Sequence, residues 1–194
     1  MQHLDRQLAN FSTDLQSQVG LTADEAQKVA TLVPADVRFL PKGVKAEIEA
    51  ASPVPLSARR DELVAFQAWN DFARSVKAHP AITRAQVIVQ NYVCFAYLKD
   101  ACFDVVAQKA AADSVAARCS RFLTTGPVRD FRNAFSHANW CYKSDFAGLK
   151  CWVLEDARRR NSPLREFEVS QNELSFWQAL ARGVAYATYE QLCG

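Results

Sequence analysis

Phe131-Arg132-Asn133-Ala134-Phe135-Ser136-His137-Ala138-Asn139-Trp140 sets an arginine and a histidine five residues apart, among aromatic residues at 131, 135 and 140. The stretch comes after Thr125-Gly126-Pro127, a break and a restart, because proline suits the first position of a helix. At about 100° per residue with Phe131 at zero, Val128, Phe135, Ala138 and Tyr142 fall within about 60° of it. That stripe predicts an amphipathic helix running through Tyr142 with its apolar side in a core.

The opposite side is polar. Arg132 falls near ~100°, Ser136 near ~140°, Arg129 near ~160°, Trp140 near ~180°, Asn133 near ~200° and His137 near ~240°. Arginine can grip a phosphate with two parallel hydrogen bonds. Histidine can move a proton near neutral pH. Asn133 and His137 are four apart and can touch. A tryptophan on a solvated face is an odd choice, so this face is expected to meet a second subunit, a ligand base or another part of the chain.

Outward from this helix, periodicity predicts more helices. Leu63, Phe66, Trp69, Phe72, Ala73 and Val76 mark one over about 57–78, stopped at His79-Pro80. Residues 82–110 are apolar on almost every side, which predicts a central, buried helix. A shorter helix fits 111–123. Ser170 and Glu173 form a capping box before Leu174, Trp177, Leu180 and Val184, the closing helix to 192.

Between these, residues 149–154 and 165–169 read as two strands of a hairpin. Its loop carries Arg158-Arg159-Arg160, which could track an RNA backbone or could simply be a solvated tip.

The N-terminal part has a different texture. Leu4, Leu8, Phe11 and Leu15 make a helical stripe that Gly20 ends, and Thr22 and Glu25 cap a second short helix. Four of the seven prolines lie in 34–56, with a short helix at about Val44–Ala50 between them. Residues 1–56 are therefore expected to be a helical extension and proline-rich connector, and 57–194 the main helical domain.

Bulk properties exclude more than they assign. The 194 residues are 49% hydrophobic and 23% charged, which is globular composition. A net charge of +2 does not by itself argue for nucleic acid. No segment reaches the ~18 apolar residues of a membrane span, and the N-terminus lacks the pattern of a signal peptide, so a cytoplasmic protein is expected. No pair among the six cysteines is spaced as C-x-x-C, so reduced core thiols are expected rather than zinc ligands. Phosphate-loop, dinucleotide-loop and H-E-x-x-H motifs are absent. Asp100 and Asp104, four apart beside Lys99, read as ion-pair partners. No cofactor or metal is expected.

Arg132-Asn133-x-x-x-His137 resembles the R-x4–6-H motif of the HEPN superfamily (higher eukaryotes and prokaryotes nucleotide-binding), with the polar residue that often follows the arginine. Long helices before the motif and a closing helix after it resemble that fold too, over roughly residues 57–193. The resemblance implies a mainly all-α, HEPN-like helical bundle with a small β-hairpin before the last helix.

It also implies a metal-independent endoribonuclease acting as a dimer, with a role in defence or stress response. Arg132 would hold the scissile phosphate, His137 would act as acid or base, and Asn133 would orient the histidine or bind a phosphate oxygen. Arg129, Ser136 and Trp140 would contact substrate. A homodimer through the face of Arg132 and His137 would supply a second histidine and cover Trp140. A neutralising partner protein is a further expectation. Two alternatives stand beside this one: a HEPN-like domain that binds nucleotide or RNA without cutting it, and a helical interaction protein in which the pair is structural.

Overall fold

The C-terminal helix α9 (Gln171–Cys193) is the post around which the chain is built. Leu174, Trp177, Leu180, Ala181, Val184, Ala185, Thr188, Tyr189 and Leu192 are all buried along it. In this computed structural model all residues are described except 1, 31–38, 42, 76–79, 145–146, 157, 160 and 194; for 2–9, 74 and 80–83 only the backbone is described. The protein is mainly helical, with one small antiparallel sheet. No helix among the described residues is long and apolar enough to cross a membrane.

The other helices are α1 (Gln2–Val19), α2 (Ala23–Ala30), α3 (Val44–Ala51), α4 (Leu56–Ser75), α5 (Pro80–Asn91), α6 (Asp104–Lys109), α7 (Val115–Thr124) and α8 (Gly126–Ser136). Both capping boxes form as their spacing predicts. Thr22 and Glu25 bond reciprocally at the start of α2, and Ser170 and Glu173 do so at the start of α9. Gly20 ends α1 with a positive φ of 76°, and Pro127 lies in the first turn of α8.

The described residues of the N-terminal part share the core of the rest. Leu15, Leu21, Ala26, Val29, Val44 and Ile48 belong to the same buried cluster as Phe103, Phe131 and Leu180. Arg118 on α7 ties the first turn between helices to the body, donating to the Gly20 carbonyl at 3.0 Å and pairing with Glu25.

The segment expected to be one helix over 82–110 is helical but not uniform. Two π-helical stretches, Tyr92–Tyr97 and Lys99–Phe103, separate α5 from α6. Each π turn takes up more residues than an α turn and rotates the next part of the helix about its axis. Ala85, Ile88 and Tyr92 therefore face outward, while Phe95, Cys102, Phe103 and Val106 are buried. A single uninterrupted period of 3.6 would place all of them on one stripe. The wider ladder also frees carbonyls. That of Ala101 accepts from the Tyr189 hydroxyl at 2.9 Å and from Arg59 at 2.6 Å.

The predicted hairpin is the larger part of a three-stranded antiparallel sheet, β1 (Trp140–Tyr142), β2 (Gly148–Leu154) and β3 (Leu164–Ser170), in the order β1-β2-β3. Trp140 pairs with Cys151, and Cys151 with Phe167. By strand alternation Trp140, Tyr142, Leu149, Cys151, Phe167 and Val169 share the inner face, and Cys141, Lys150, Trp152, Glu166 and Glu168 the outer one. The inner face lies over α8, and Arg165 crosses to Asp130 of that helix at 2.5 Å. Gly148 is required where β2 begins, since a Cβ there would lie 2.2 Å from the Val169 carbonyl oxygen.

Candidate active site

Helix α8 does not run through Tyr142. It ends at Ser136, with His137 as its C-cap. Ala138 takes a left-handed conformation at φ 57°. Its N–H donates to the Phe135 carbonyl at 3.2 Å and the Asn139 N–H to the Ala134 carbonyl at 2.8 Å. This pair of bonds is the Schellman ending of a helix. The chain then leaves the helix axis and enters β1.

That ending corrects two expectations. Trp140 is not on a polar helix face. It is a half-buried strand residue stacked on Phe135, with centroids 5.0 Å apart and planes at 16°. Tyr142 leaves the helical core stripe as well. It meets Trp140 edge to face at 5.3 Å and donates its hydroxyl to the Arg84 carbonyl at 3.4 Å. Arg84 in turn lies 5.7 Å above the Tyr142 ring.

Arg132 is half-buried on α8. Its Nη2 donates to Asn133 Oδ1 at 3.1 Å. Its Nη1 is buried and has no hydrogen-bond partner among the described residues. Burial lowers the proton affinity of the guanidinium, opposed by the charges of Asp104 and Asp100, while Arg129 adds to the lowering. Those two acids are held by Lys99, each at 2.6 Å, so the predicted ion pair is present.

His137 is exposed. Its backbone N–H donates to the Asn133 carbonyl at 3.2 Å. No hydrogen bond joins its imidazole to Arg132 or Asn133 among the described residues. The motif thus brings Arg132 and Asn133 together and leaves His137 one turn further on, facing solvent. Ser136 and Arg129 are exposed. Arg129 lies 3.5 Å from Asp130, whose other oxygen is held by Arg165.

The basic charge of the loop and of the strand after it is partly neutralised. Arg159 lies 3.5 Å from Asp156, and Arg165 is taken by Asp130 while covering the Phe167 ring at 5.3 Å. Arg160 lies outside the described residues. On the outer face of the sheet Lys150 pairs with Glu166 at 2.7 Å and Lys143 with Glu168 at 2.6 Å.

Sequence spacing did not reveal the Asp130–Arg165 strut or the Arg84–Tyr142 contact. Both join residues far apart in the chain, and no local pattern signals them.

Two further features bear on ligands. A shallow groove of about 550 Å³ lies away from the motif, against Pro53, Val54, Leu56, Arg60 and Leu192. Among the described residues no three His, Cys, Asp or Glu side chains gather as metal ligands. Comparison with protein-family models, with curated proteins and with solved structures finds no match to this chain.

Proposed function

We propose that the protein is a metal-independent endoribonuclease of HEPN type, with Arg132 and His137 as its reacting groups. The observation that carries the reading is the state of Arg132. A buried donor left without a partner costs about 1–3 kcal/mol, and Arg132 holds such a donor at Nη1, five residues before exposed His137. A phosphate oxygen supplies the missing acceptor. It also suits the second, parallel bond that the planar guanidinium offers.

In this mechanism the ribose 2′-hydroxyl attacks the adjacent phosphorus and the 5′-oxygen leaves. Arg132 stabilises the charge gathered on the phosphoryl oxygens. One histidine accepts the 2′ proton and a second protonates the leaving oxygen. The products are a 2′,3′-cyclic phosphate and a 5′-hydroxyl. One chain places a single histidine at the motif, so the reading requires a homodimer through the surface of Arg132 and His137. Asn133, bonded to Arg132 and within reach of a phosphate oxygen, sets the guanidinium plane. Arg129 and Ser136, exposed on the same helix, extend the phosphate contact. Trp140 supports the site through Phe135. RNA in the cytoplasm is the substrate, and a neutralising partner protein belongs with such an activity in a defence setting.

A second reading is favoured by one observation: Arg132 and His137 do not touch within a chain. A domain that binds RNA or nucleotide without cleaving it needs only the arginine.

The test is incubation with labelled single-stranded RNA in EDTA, beside Arg132→Ala and His137→Ala. The expected result is cleavage to cyclic-phosphate ends by the parent and loss of cleavage in both variants. Binding that depends on Arg132, with no cleavage by the folded parent, would replace the enzyme with the binding domain.

A further inference from the structure

Six polar side chains are buried among the described residues, and four of them, Asn70, Gln90, Asn91 and Gln178, link α4, α5 and α9. Gln86 donates to Asn70 Oδ1 at 3.3 Å, and Gln90 donates to the same oxygen. Beside Gln90, Asn91 Oδ1 accepts from Gln178 Nε2 at 2.8 Å. These bonds use the oxygens of the two asparagine amides. The nitrogens are left over: Asn70 Nδ2 and Asn91 Nδ2 are buried with no hydrogen-bond partner among the described residues.

A guanidinium joins the Asn91 end. Arg182 lies one turn after Gln178 on α9. Helical side chains lean toward the preceding turn, so Arg182 reaches back over Gln178. Cys94 fixes the place. Its thiol donates to the Gln178 carbonyl at 4.0 Å. Burial pushes that thiol up to about 11, against the pull of the adjacent Arg182 guanidinium. Arg182 Nη1 is itself buried and without a partner. Among the described residues Arg182 forms no ion pair with a carboxylate.

Donors and a positive charge therefore meet here without an acceptor. Unpaired buried donors are costly, and more so on a charged group. Water would satisfy the amide and leave the charge uncompensated, whereas an anion answers both. One guanidinium balances one negative charge. Asn91, Cys94 and Gln178 around it are all buried, so the ligand is small as well as monovalent.

We propose that Asn91 Nδ2 and Arg182 Nη1 together bind a halide-sized monovalent anion, chloride in solution, in the seam between α5 and α9. The ion ties the first π-helical stretch, which begins at Tyr92 and contains Cys94, to the central helix. Such π turns are often found at functional sites. Neither Asn91 nor Arg182 belongs to the Arg132–His137 motif.

Thermal unfolding of the full chain tests the site, with chloride exchanged for gluconate at constant ionic strength. An ion held by the folded state alone raises the folded-to-unfolded ratio about 11-fold at about ten times its dissociation constant. That is a Tm rise of roughly 3–6 °C for a chain of this size. The parent is expected to show the rise in chloride and in bromide, and Arg182→Gln to lose it. Asn91→Asp keeps the oxygen that accepts from Gln178 and sets a carboxylate beside the guanidinium. It is expected to lose the chloride response, with a Tm in gluconate no lower than the parent's. Asn91→Asp decides alone if Arg182→Gln does not fold. Arg158→Gln, at an exposed arginine, keeps the response. Crystals grown in bromide are expected to give an anomalous peak between Asn91 and Arg182. Equal parent Tm in chloride and gluconate, a chloride response that survives in Asn91→Asp, or water alone at that position in the bromide crystals overturns the proposal.

Discussion

Trp140 lies flat on Phe135, ring centroids 5.0 Å apart, so the first residue of β1 is fastened to the last turn of α8. The stack holds the sheet over the helix at the point where the chain changes direction. Stacked aromatic pairs contribute about 0.5–1.5 kcal/mol beyond their area. Trp140 is only half-buried, so Trp140→Ala is expected to cost about 2 kcal/mol, below the ~3–5 kcal/mol of a fully buried tryptophan. Urea unfolding of the pair of proteins measures it. An unchanged midpoint would show that the stack carries no stability.

Ala138 makes the turn between them in a conformation that side chains resist. A left-handed alanine costs about 1–2 kcal/mol, and glycine adopts the same angles freely. The hydrogen bonds around Ala138 are made by backbone atoms alone, so they survive the change. Ala138→Gly is therefore expected to stabilise the protein by about 0.5–1 kcal/mol after the greater freedom of unfolded glycine is counted. That corresponds to a Tm higher by about 1–4 °C for a chain of this size. A lower Tm would mean that the alanine methyl makes a contact worth more than the strain.

That alanine also explains where the sequence was legible and where it was not. Helices whose ends are marked by local chemistry can be read directly: Gly20, the Thr22–Glu25 and Ser170–Glu173 boxes, and Pro127 each fall where the structure starts or stops a helix. The end of α8 carries no glycine, so the wheel ran on through Trp140 and Tyr142. The π turns over 92–103 have no signature in residue type either. They are maintained by long-range partners, such as Tyr189 and Arg59 on the Ala101 carbonyl. At the candidate site the adjacency of Arg132 and Asn133 could be read from spacing. His137 keeps the helical bond of its N–H to the Asn133 carbonyl, and spacing alone did not show that its side chain is exposed.

Gly148 begins β2 where the chains of β2 and β3 run close. The atom that an added Cβ would strike is the Val169 carbonyl oxygen, 2.2 Å away. A backbone atom inside a paired ladder cannot swing aside as a side-chain tip can. Gly148→Ala is expected to cost about 3 kcal/mol, at the upper end for overpacking. Hydrogen exchange at Val169 and its neighbours would locate the damage as a loss of amide protection. Protection equal to the parent would show that the strands separate without cost.

Glu25 gives the acid side of the stability profile a specific source. Its carboxyl is held below the usual carboxylate range by the Arg118 guanidinium first and by the Thr22 backbone N–H second. The folded protein thus binds that proton less tightly than the unfolded chain does. The stabilisation is present above the unfolded pKa of about 4.3 and fades as pH falls through the lower folded value. The pair is partly exposed, which limits it to about 1 kcal/mol. Glu25→Gln is expected to lower stability at pH 7 by roughly that amount, and to lessen the loss between about pH 5 and pH 3 by as much. Parallel acid limbs for the two proteins would assign the acid sensitivity elsewhere.

The six cysteines divide by burial into two sets, and thiol chemistry reads the division. Cys94, Cys102, Cys119 and Cys151 are buried, Cys193 is half-buried and Cys141 is exposed, all as free thiols. Burial pushes the Cys94 thiol up to about 11 and those of Cys102, Cys119 and Cys151 up to about 12. Only the thiolate attacks a disulfide reagent, so these four are both covered and protonated at pH 8. An aromatic disulfide reagent is expected to label Cys141 quickly and Cys193 more slowly in the native protein, and all six thiols in guanidinium. The Cys141→Ser variant should lose the fast phase alone. Fast labelling of Cys102 or Cys119 before unfolding would mean that the packing over these buried thiols opens in the folded state.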